Sequence, residues 1–279
     1  PLPLGLLAAD RIVAVSPTYA REILTPEFGC GLQDFLNSRS AVISGILNGL
    51  DQKSWDPTRD GALVSRFGID SLELRAENKK SLLAEFDLPY DPQIPLLILI
   101  SRMDQQKGID LALASLAQMA DRPWQAILLG TGDPIIESAC RSLQAEFPDR
   151  VRAAIRFDTR LSRQMYAGGD VLLMPSRYEP CGLAQMIGMR YGCVPLARST
   201  GGLRDTIFED APDRPNNGFL FDEVKTEALN AALTRCLDRF TDRKAWRQLQ
   251  LNGMQQDFSW EKSAIQYANL YFNLWENQR

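Results

Sequence analysis

The sequence predicts an α/β chain built on a doubly wound parallel sheet, and two patterns carry that expectation. From Leu96 onward, short runs that are apolar throughout alternate with longer stretches of helical composition, and strands apolar at every position belong to a parallel sheet covered on both faces. The loops leaving those runs concentrate Gly, Pro and charged residues, as the ligand edge of an open α/β sheet requires. Composition agrees, since 279 residues with 45% hydrophobic and 24% charged side chains describe an ordinary globular chain of one large or two modest domains.

Taken in order, the apolar opening at 1–9 lacks a basic n-region, and the apolar run at 94–100 is far shorter than the roughly 18 to 20 residues that span a bilayer. No targeting or membrane segment is read, and the chain is expected to be soluble. It starts without Met, which suggests a piece of a longer protein. A strand is expected over 11–15, followed by Ser16 as N-cap and Pro17 at the first helical position. Another strand over 41–47 ends in Asn48-Gly49, a pair that favours a positive-φ turn. Residues 56–70 are rich in turn formers, 71–86 have helix composition, and 91–95 punctuate the chain. Strand and helix then alternate: 96–100 with 108–119, 125–129 with 134–147, 152–155 with 161–167, and 171–174 with 183–191. A last strand over 194–197 leads to a helical start after Gly201-Gly202.

Four junctions in this series carry possible chemistry. After the strand ending at Met174 comes Pro175-Ser176-Arg177-Tyr178-Glu179-Pro180-Cys181-Gly182-Leu183, which sets a carboxylate at the mouth of a helix. Glu179 either faces a ligand crevice or merely favours a helix N-terminus. After Ile100 comes Ser101-Arg102-Met103-Asp104-Gln105-Gln106-Lys107-Gly108, with two cations that suit a phosphate and equally suit a solvated loop. Gly130-Thr131-Gly132-Asp133-Pro134 is a tight turn that an N-cap alone explains. Ser199-Thr200-Gly201-Gly202-Leu203 pairs glycines where backbone N–H groups can approach an anion.

Other chemistries are excluded. No histidine occurs, which removes Ser-His-Asp and Cys-His catalysis and the commonest transition-metal ligand. The five cysteines, Cys30, Cys140, Cys181, Cys193 and Cys236, include no C-x-x-C pair and fit a reducing compartment. A net charge of -4 argues against a general nucleic-acid binder, and neither G-x-x-x-x-G-K-[ST] nor G-x-G-x-x-G is present. Carboxylates, Lys, Arg and backbone dipoles remain.

Taken together, these motifs resemble the bacterial glycogen synthases and the plant or cyanobacterial starch synthases, retaining glucosyltransferases of the GT-B architecture that use ADP-glucose. The resemblance is carried by Ser16-Pro17-Thr18-Tyr19-Ala20, by Gly45-Ile46-Leu47-Asn48-Gly49-Leu50-Asp51, by the Arg102 and Lys107 loop, and by the turn at Gly130. It continues through Tyr166-Ala167-Gly168-Gly169-Asp170, the Glu179 segment, Thr200-Gly201-Gly202-Leu203 and Phe258-Ser259-Trp260. It implies the Rossmann-like carboxy-terminal half of a GT-B enzyme, with residues 1–256 as the donor domain, 1–15 as an incoming interdomain segment, and 257–279 as a helix crossing toward an absent amino-terminal domain.

The resemblance also implies roles. Arg102 and Lys107 match diphosphate-binding cations, Glu179 the carboxylate at the reacting centre, and Cys181, Gly182 and Leu183 the backbone that holds the sugar hydroxyls. Gly130, Thr131 and Gly132 belong to the donor site, Thr200, Gly201 and Gly202 to its phosphate side, and Asn48 to the cleft. Phe157 either stacks on adenine or packs in the core. ADP-glucose and an α-glucan acceptor are the implied substrates and ADP the product, with no metal or other cofactor, nucleic acid or membrane. The implied location is the cytoplasm in a bacterium or the plastid stroma in a plant or alga. Ser199 replaces a residue that is basic in many relatives, Ile187 stands at the second position of the Glu-x7-Glu pair of related GT-B enzymes, and no Lys-x-Gly-Gly-Leu motif occurs. A catalytically inactive nucleotide-binding module and a GT-B transferase using a UDP-sugar are the competing readings.

Overall fold

The computed structural model describes residues 2–276. Among these described residues, eight strands fall into two sheets, β1 (Ile12–Ala14) with β2 (Ile43–Gly45), and a six-stranded sheet ordered β5-β4-β3-β6-β7-β8. The six are β3 (Leu96–Ile100), β4 (Gln125–Gly130), β5 (Val151–Ile155), β6 (Val171–Met174), β7 (Val194–Arg198) and β8 (Phe219–Phe221). All pair in parallel. Numbered from β3, the order is 3-2-1-4-5-6, so the direction of winding reverses between β3 and β6, where such sheets open a crevice at their carboxyl ends.

The continuous apolar strands have a direct cause. Side chains alternate between faces along a strand, and each face here meets its own core. Leu97 and Leu99 of β3 and Val171 and Leu173 of β6 enter one core with α5 (Ile109–Gln118), α6 (Pro134–Glu146) and α10 (Thr226–Thr241). Leu96, Ile98, Leu172 and Met174 enter the other with α4 (Arg75–Glu85), α7 (Thr159–Gly168) and α8 (Ala184–Arg190). The remaining helices are α1 (Leu2–Ala8), α2 (Pro17–Glu22), α3 (Gln33–Ser38), α9 (Gly201–Thr206), α11 (Arg243–Met254) and α12 (Trp260–Glu276). Expected starts are realised locally: Ser16 Oγ accepts from the Tyr19 N–H at 3.1 Å to open α2, and Asp133 accepts from the Ile135 N–H at 2.8 Å to open α6.

Several elements differ from the sequence reading. The strand expected over 41–47 keeps only 43–45, because Ser40–Val42 forms a 3₁₀ turn. The helix expected over 71–86 starts at Arg75, after a 3₁₀ segment broken at Ser71 (φ -135, ψ 35). Asn48 and Gly49 make no positive-φ turn. Gly49 is needed for a different reason, since a Cβ there would stand 2.4 Å from the Trp260 Cα at the start of α12. The strand β8 and helices α10 and α11, between the helical start at Gly201 and the helix expected over 257–279, were not read from sequence. The final three residues of the helix expected over 257–279 lie outside the described residues, and among those described no helix is long and apolar enough to cross a membrane.

Candidate active site

The site is assembled by two loops meeting at the switch point. The loop after β3 turns through a 3₁₀ segment, Gln105–Lys107, whose N-cap Asp104 accepts from the Lys107 N–H at 3.1 Å. Gly108 follows at φ +63, and a Cβ there would stand 1.9 Å from the carbonyl oxygen of Pro175. Only glycine tolerates both the left-handed backbone and that approach, so this loop presses directly on the loop after β6. Three further bonds join them, Arg177 N–H to Gln106 O at 2.7 Å, Arg177 Nη1 to Gln105 O at 2.7 Å and Gln106 Nε2 to Tyr178 O at 3.1 Å.

That contact brings Lys107 and Glu179 together. Lys107 Nζ lies 2.6 Å from Glu179 Oε2, and the Ser176 hydroxyl donates to the same oxygen at 3.0 Å. Both charged side chains are largely buried, 19% and 9% exposed, where a charge-assisted bond gains strength from the reduced dielectric. They line a cleft of about 240 Å3 with Ser101, Arg102, Ser176 and Leu183. Arg102 stands at its rim, 72% exposed, with Asp104 at 3.1 Å. A guanidinium so placed can swing onto an anion in the cleft at little cost.

Gly182 and Leu183 also line the cleft, and Cys181 precedes them in a buried position behind it. Gly182 takes φ +70, and α8 begins two residues later without a side-chain cap, which leaves its first turn open to a hydrogen-bond acceptor. Burial pushes the Cys181 thiol up, against the Asn48 backbone N–H that reaches its sulfur. The thiol is thus protonated near neutral pH and unsuited to nucleophilic attack. The same contact sets the Asn48 backbone against Cys181, one residue from the cleft lining, although Asn48 comes from outside the six-stranded sheet.

The other expected residues are held differently. A Cβ on Gly130 would stand 2.0 Å from Ser101 O, and one on Gly132 2.4 Å from Met103 O, so both glycines admit the cation loop. The Thr131 hydroxyl and Gly132 N–H donate to Glu137 Oε1 at 2.7 and 3.0 Å. Phe157, just past β5, is 88% exposed, which rejects the core alternative. Thr200 is buried, its hydroxyl and the Gly201 N–H both donate to Glu22 Oε1 at 2.9 Å, and the Gly202 N–H donates to Glu179 O at 3.1 Å. In this structure those two N–H groups meet protein oxygens and brace the Glu179 loop from behind. Sequence reasoning missed Ser176, Glu22 and Glu137. Ser176 lay inside the motif already singled out, whereas Glu22 has no local signal, because its partners are 178 and 179 positions away. A roomier cavity of about 690 Å3 lies between α10, α11 and the loop before β8, but its Glu209 and Arg235 pair at 2.8 Å and its Asp242 caps α11.

Comparison with known proteins places this geometry. A family model described as glycosyl transferases group 1 matches residues 94–239, and one described as starch synthase catalytic domain matches 1–38. The chain is 48% identical over 274 residues to a glycogen synthase of Aromatoleum aromaticum, covering 97% of this chain and 56% of that protein. It is 45% identical over 273 residues to a glycogen synthase of Anaeromyxobacter sp., covering 98% and 58%. The chain thus spans little more than half the length of these relatives. Among solved structures, the catalytic domain of starch synthase IV from Arabidopsis thaliana bound to ADP and acarbose superposes with a TM-score of 0.91 at 37% identity, over 98% of this chain and 57% of that one. Sucrose-phosphate synthase from Thermosynechococcus elongatus shares the fold, with a TM-score of 0.67 at 24% identity. The family model covers more than half of the chain, and together with the Rossmann-like carboxy-terminal GT-B fold it shows that the chain belongs to the group 1 glycosyltransferases.

Proposed function

We propose that this chain is the donor-binding half of a glucosyltransferase that moves glucose from ADP-glucose to the non-reducing end of an α-1,4-glucan with retention of configuration. The observation that carries the reading is the Lys107–Glu179 pair, 2.6 Å apart in a cleft at the switch point. The starch synthase relative bound to ADP and acarbose supports the substrate classes.

The geometry matches the leaving group. Breaking the bond between glucose and ADP develops negative charge on the diphosphate and positive charge on the sugar. Lys107 and Arg102 meet the first, and Glu179, held by Ser176, meets the second at short range. The open first turn of α8 offers backbone N–H groups to sugar hydroxyls, and the exposed ring of Phe157 offers adenine a stacking face. Glu179 acts by position and charge, with Lys107 already on its oxygen, and not as a covalent nucleophile. The apolar side chains exposed on α1 and α12, among them Leu4, Ile265, Tyr271 and Phe272, seat on the amino-terminal domain that supplies the acceptor wall.

The test is calorimetric titration of the chain with ADP, UDP and ADP-glucose, alone and as Lys107→Ala. The chain binds ADP and ADP-glucose in preference to UDP, and the variant weakens both by about ten- to a hundredfold, the worth of one charge-assisted contact at about 1.5 to 3 kcal/mol. Absence of nucleotide binding, or equal affinity in the variant, rejects the assignment.

A further inference from the structure

We infer that Glu22 is a positioning residue for the Glu179 loop: its carboxylate fixes the turn at Thr200 and Gly201, on which the backbone of Glu179, Pro180 and Cys181 rests. The inference rests on the donor reading above and names a part of that site in a segment distant in sequence.

Three observations carry it. The first is a cap that has been given up. Thr200 is the N-cap of α9 and a residue type that normally accepts from its own helix, yet its side chain makes no such bond. Its hydroxyl donates instead to Glu22 Oε1 at 2.9 Å, and the Gly201 N–H donates to the same oxygen at 2.9 Å. A carboxylate taking both donors makes stronger bonds than a neutral cap.

The second is the intimacy of the turn with the Glu179 backbone. Gly201 sits at φ +46, where a Cβ would stand 2.0 Å from Glu179 O, and a Cβ on Gly202 would stand 1.9 Å from Cys181 O. No side chain separates the two segments, and the Gly202 N–H donates to Glu179 O at 3.1 Å. Any shift of the turn is therefore a shift of Glu179.

The third is that α2 grips this assembly at further points. The Ser16 hydroxyl donates to Pro180 O at 2.6 Å, and Asp205 of α9 accepts from the Thr18 N–H and hydroxyl at 2.8 and 2.7 Å. Meanwhile Glu22 Oε2 is buried without a hydrogen-bond partner. An orphaned carboxylate oxygen is unfavourable to folding, so the arrangement is not the one that local stability alone would select. Such departures gather where geometry serves a ligand.

The unaltered chain, Glu22→Ala and Glu22→Gln are titrated with ADP and with ADP-glucose. Glu22→Ala weakens ADP-glucose about tenfold while ADP stays within about twofold, because the diphosphate rests on Arg102 and Lys107 whereas the sugar needs the Glu179 loop. Glu22→Gln keeps an acceptor oxygen and restores most of the sugar-dependent affinity. Equal losses for ADP and ADP-glucose, an unchanged ADP-glucose affinity, or a Gln variant as weak as Ala would overturn the inference. Failure of the unaltered chain to bind either ligand overturns the donor reading instead, and the brace with it.

Discussion

At the scale of single residues, Asp60 shows how a stretch without regular structure is made rigid. Its Oδ2 accepts from the Tyr191 hydroxyl at 2.6 Å and from Arg163 at 2.8 Å, and its Oδ1 from the Ala62 N–H at 2.9 Å. Arg163 in turn lies 4.1 Å over the Trp55 ring. This knot fastens residues 51–68 to α7 and α8, and so steadies the segment that delivers Asn48 to the cleft. Burial pushes the Asp60 carboxyl up, but its hydrogen bonds and the Arg163 charge outweigh it and hold the group below the ordinary aspartate value. A folded-state value below the unfolded one means that the ionised carboxylate stabilises the fold above about pH 3.9, and that the contribution drains away as pH falls further. Asp60→Asn is therefore expected to lower the urea midpoint at pH 7 by the equivalent of about 2 kcal/mol and to flatten the acid limb of stability against pH. Midpoints measured down the acid range check this, and an acid limb as steep as that of the unaltered chain would count against it.

At the scale of elements, the cation loop depends on one backbone geometry. Gly108→Ala puts a Cβ 1.9 Å from Pro175 O at φ +63, so the loops after β3 and β6 must part. The variant should lose about 1 to 3 kcal/mol of stability and, with Lys107 drawn away from Glu179, bind ADP-glucose more weakly. Thermal unfolding and titration read the two effects, and a fully stable variant with unchanged affinity would show that the loops need not touch. The same loops explain what the sequence could reveal. Strands β3, β4, β6 and β7 were legible because both their faces are buried, which makes almost every position apolar, and the edge strand β5 was legible from the short run around Ala153 and Ala154. Strand β8 was not, since three residues behind Asn216-Asn217-Gly218 form no run long enough to register. The candidate site was legible where a loop motif carries its own charged side chain, as the separate loops of Glu179 and Lys107 do. It was illegible where partners meet only through the fold, as Glu22 meets Gly201, and where Gly49 serves a close approach of α12 instead of a turn.

At the scale of the whole molecule, turnover tests the proposed half-enzyme reading. Orientation of two reactants in a closed site contributes about 7 to 11 kcal/mol, and this chain spans little more than half the length of its relatives. The chain alone is expected to incorporate little or no radiolabelled glucose from ADP-glucose into glycogen, and to gain activity when a separately produced amino-terminal domain is added. Full activity from the chain alone would refute that. The pair of β1 and β2 bears on how such a chain behaves in a tube. Two parallel strands of three residues each do not make a self-sufficient sheet, and among the described residues each is paired on one side only. Their outer margins leave main-chain donors and acceptors with which a further strand, lying about 4.8 Å away, can pair. Such margins template the addition of a strand: light scattering at rising concentration is expected to show self-association, which a charged residue planted along this seam suppresses.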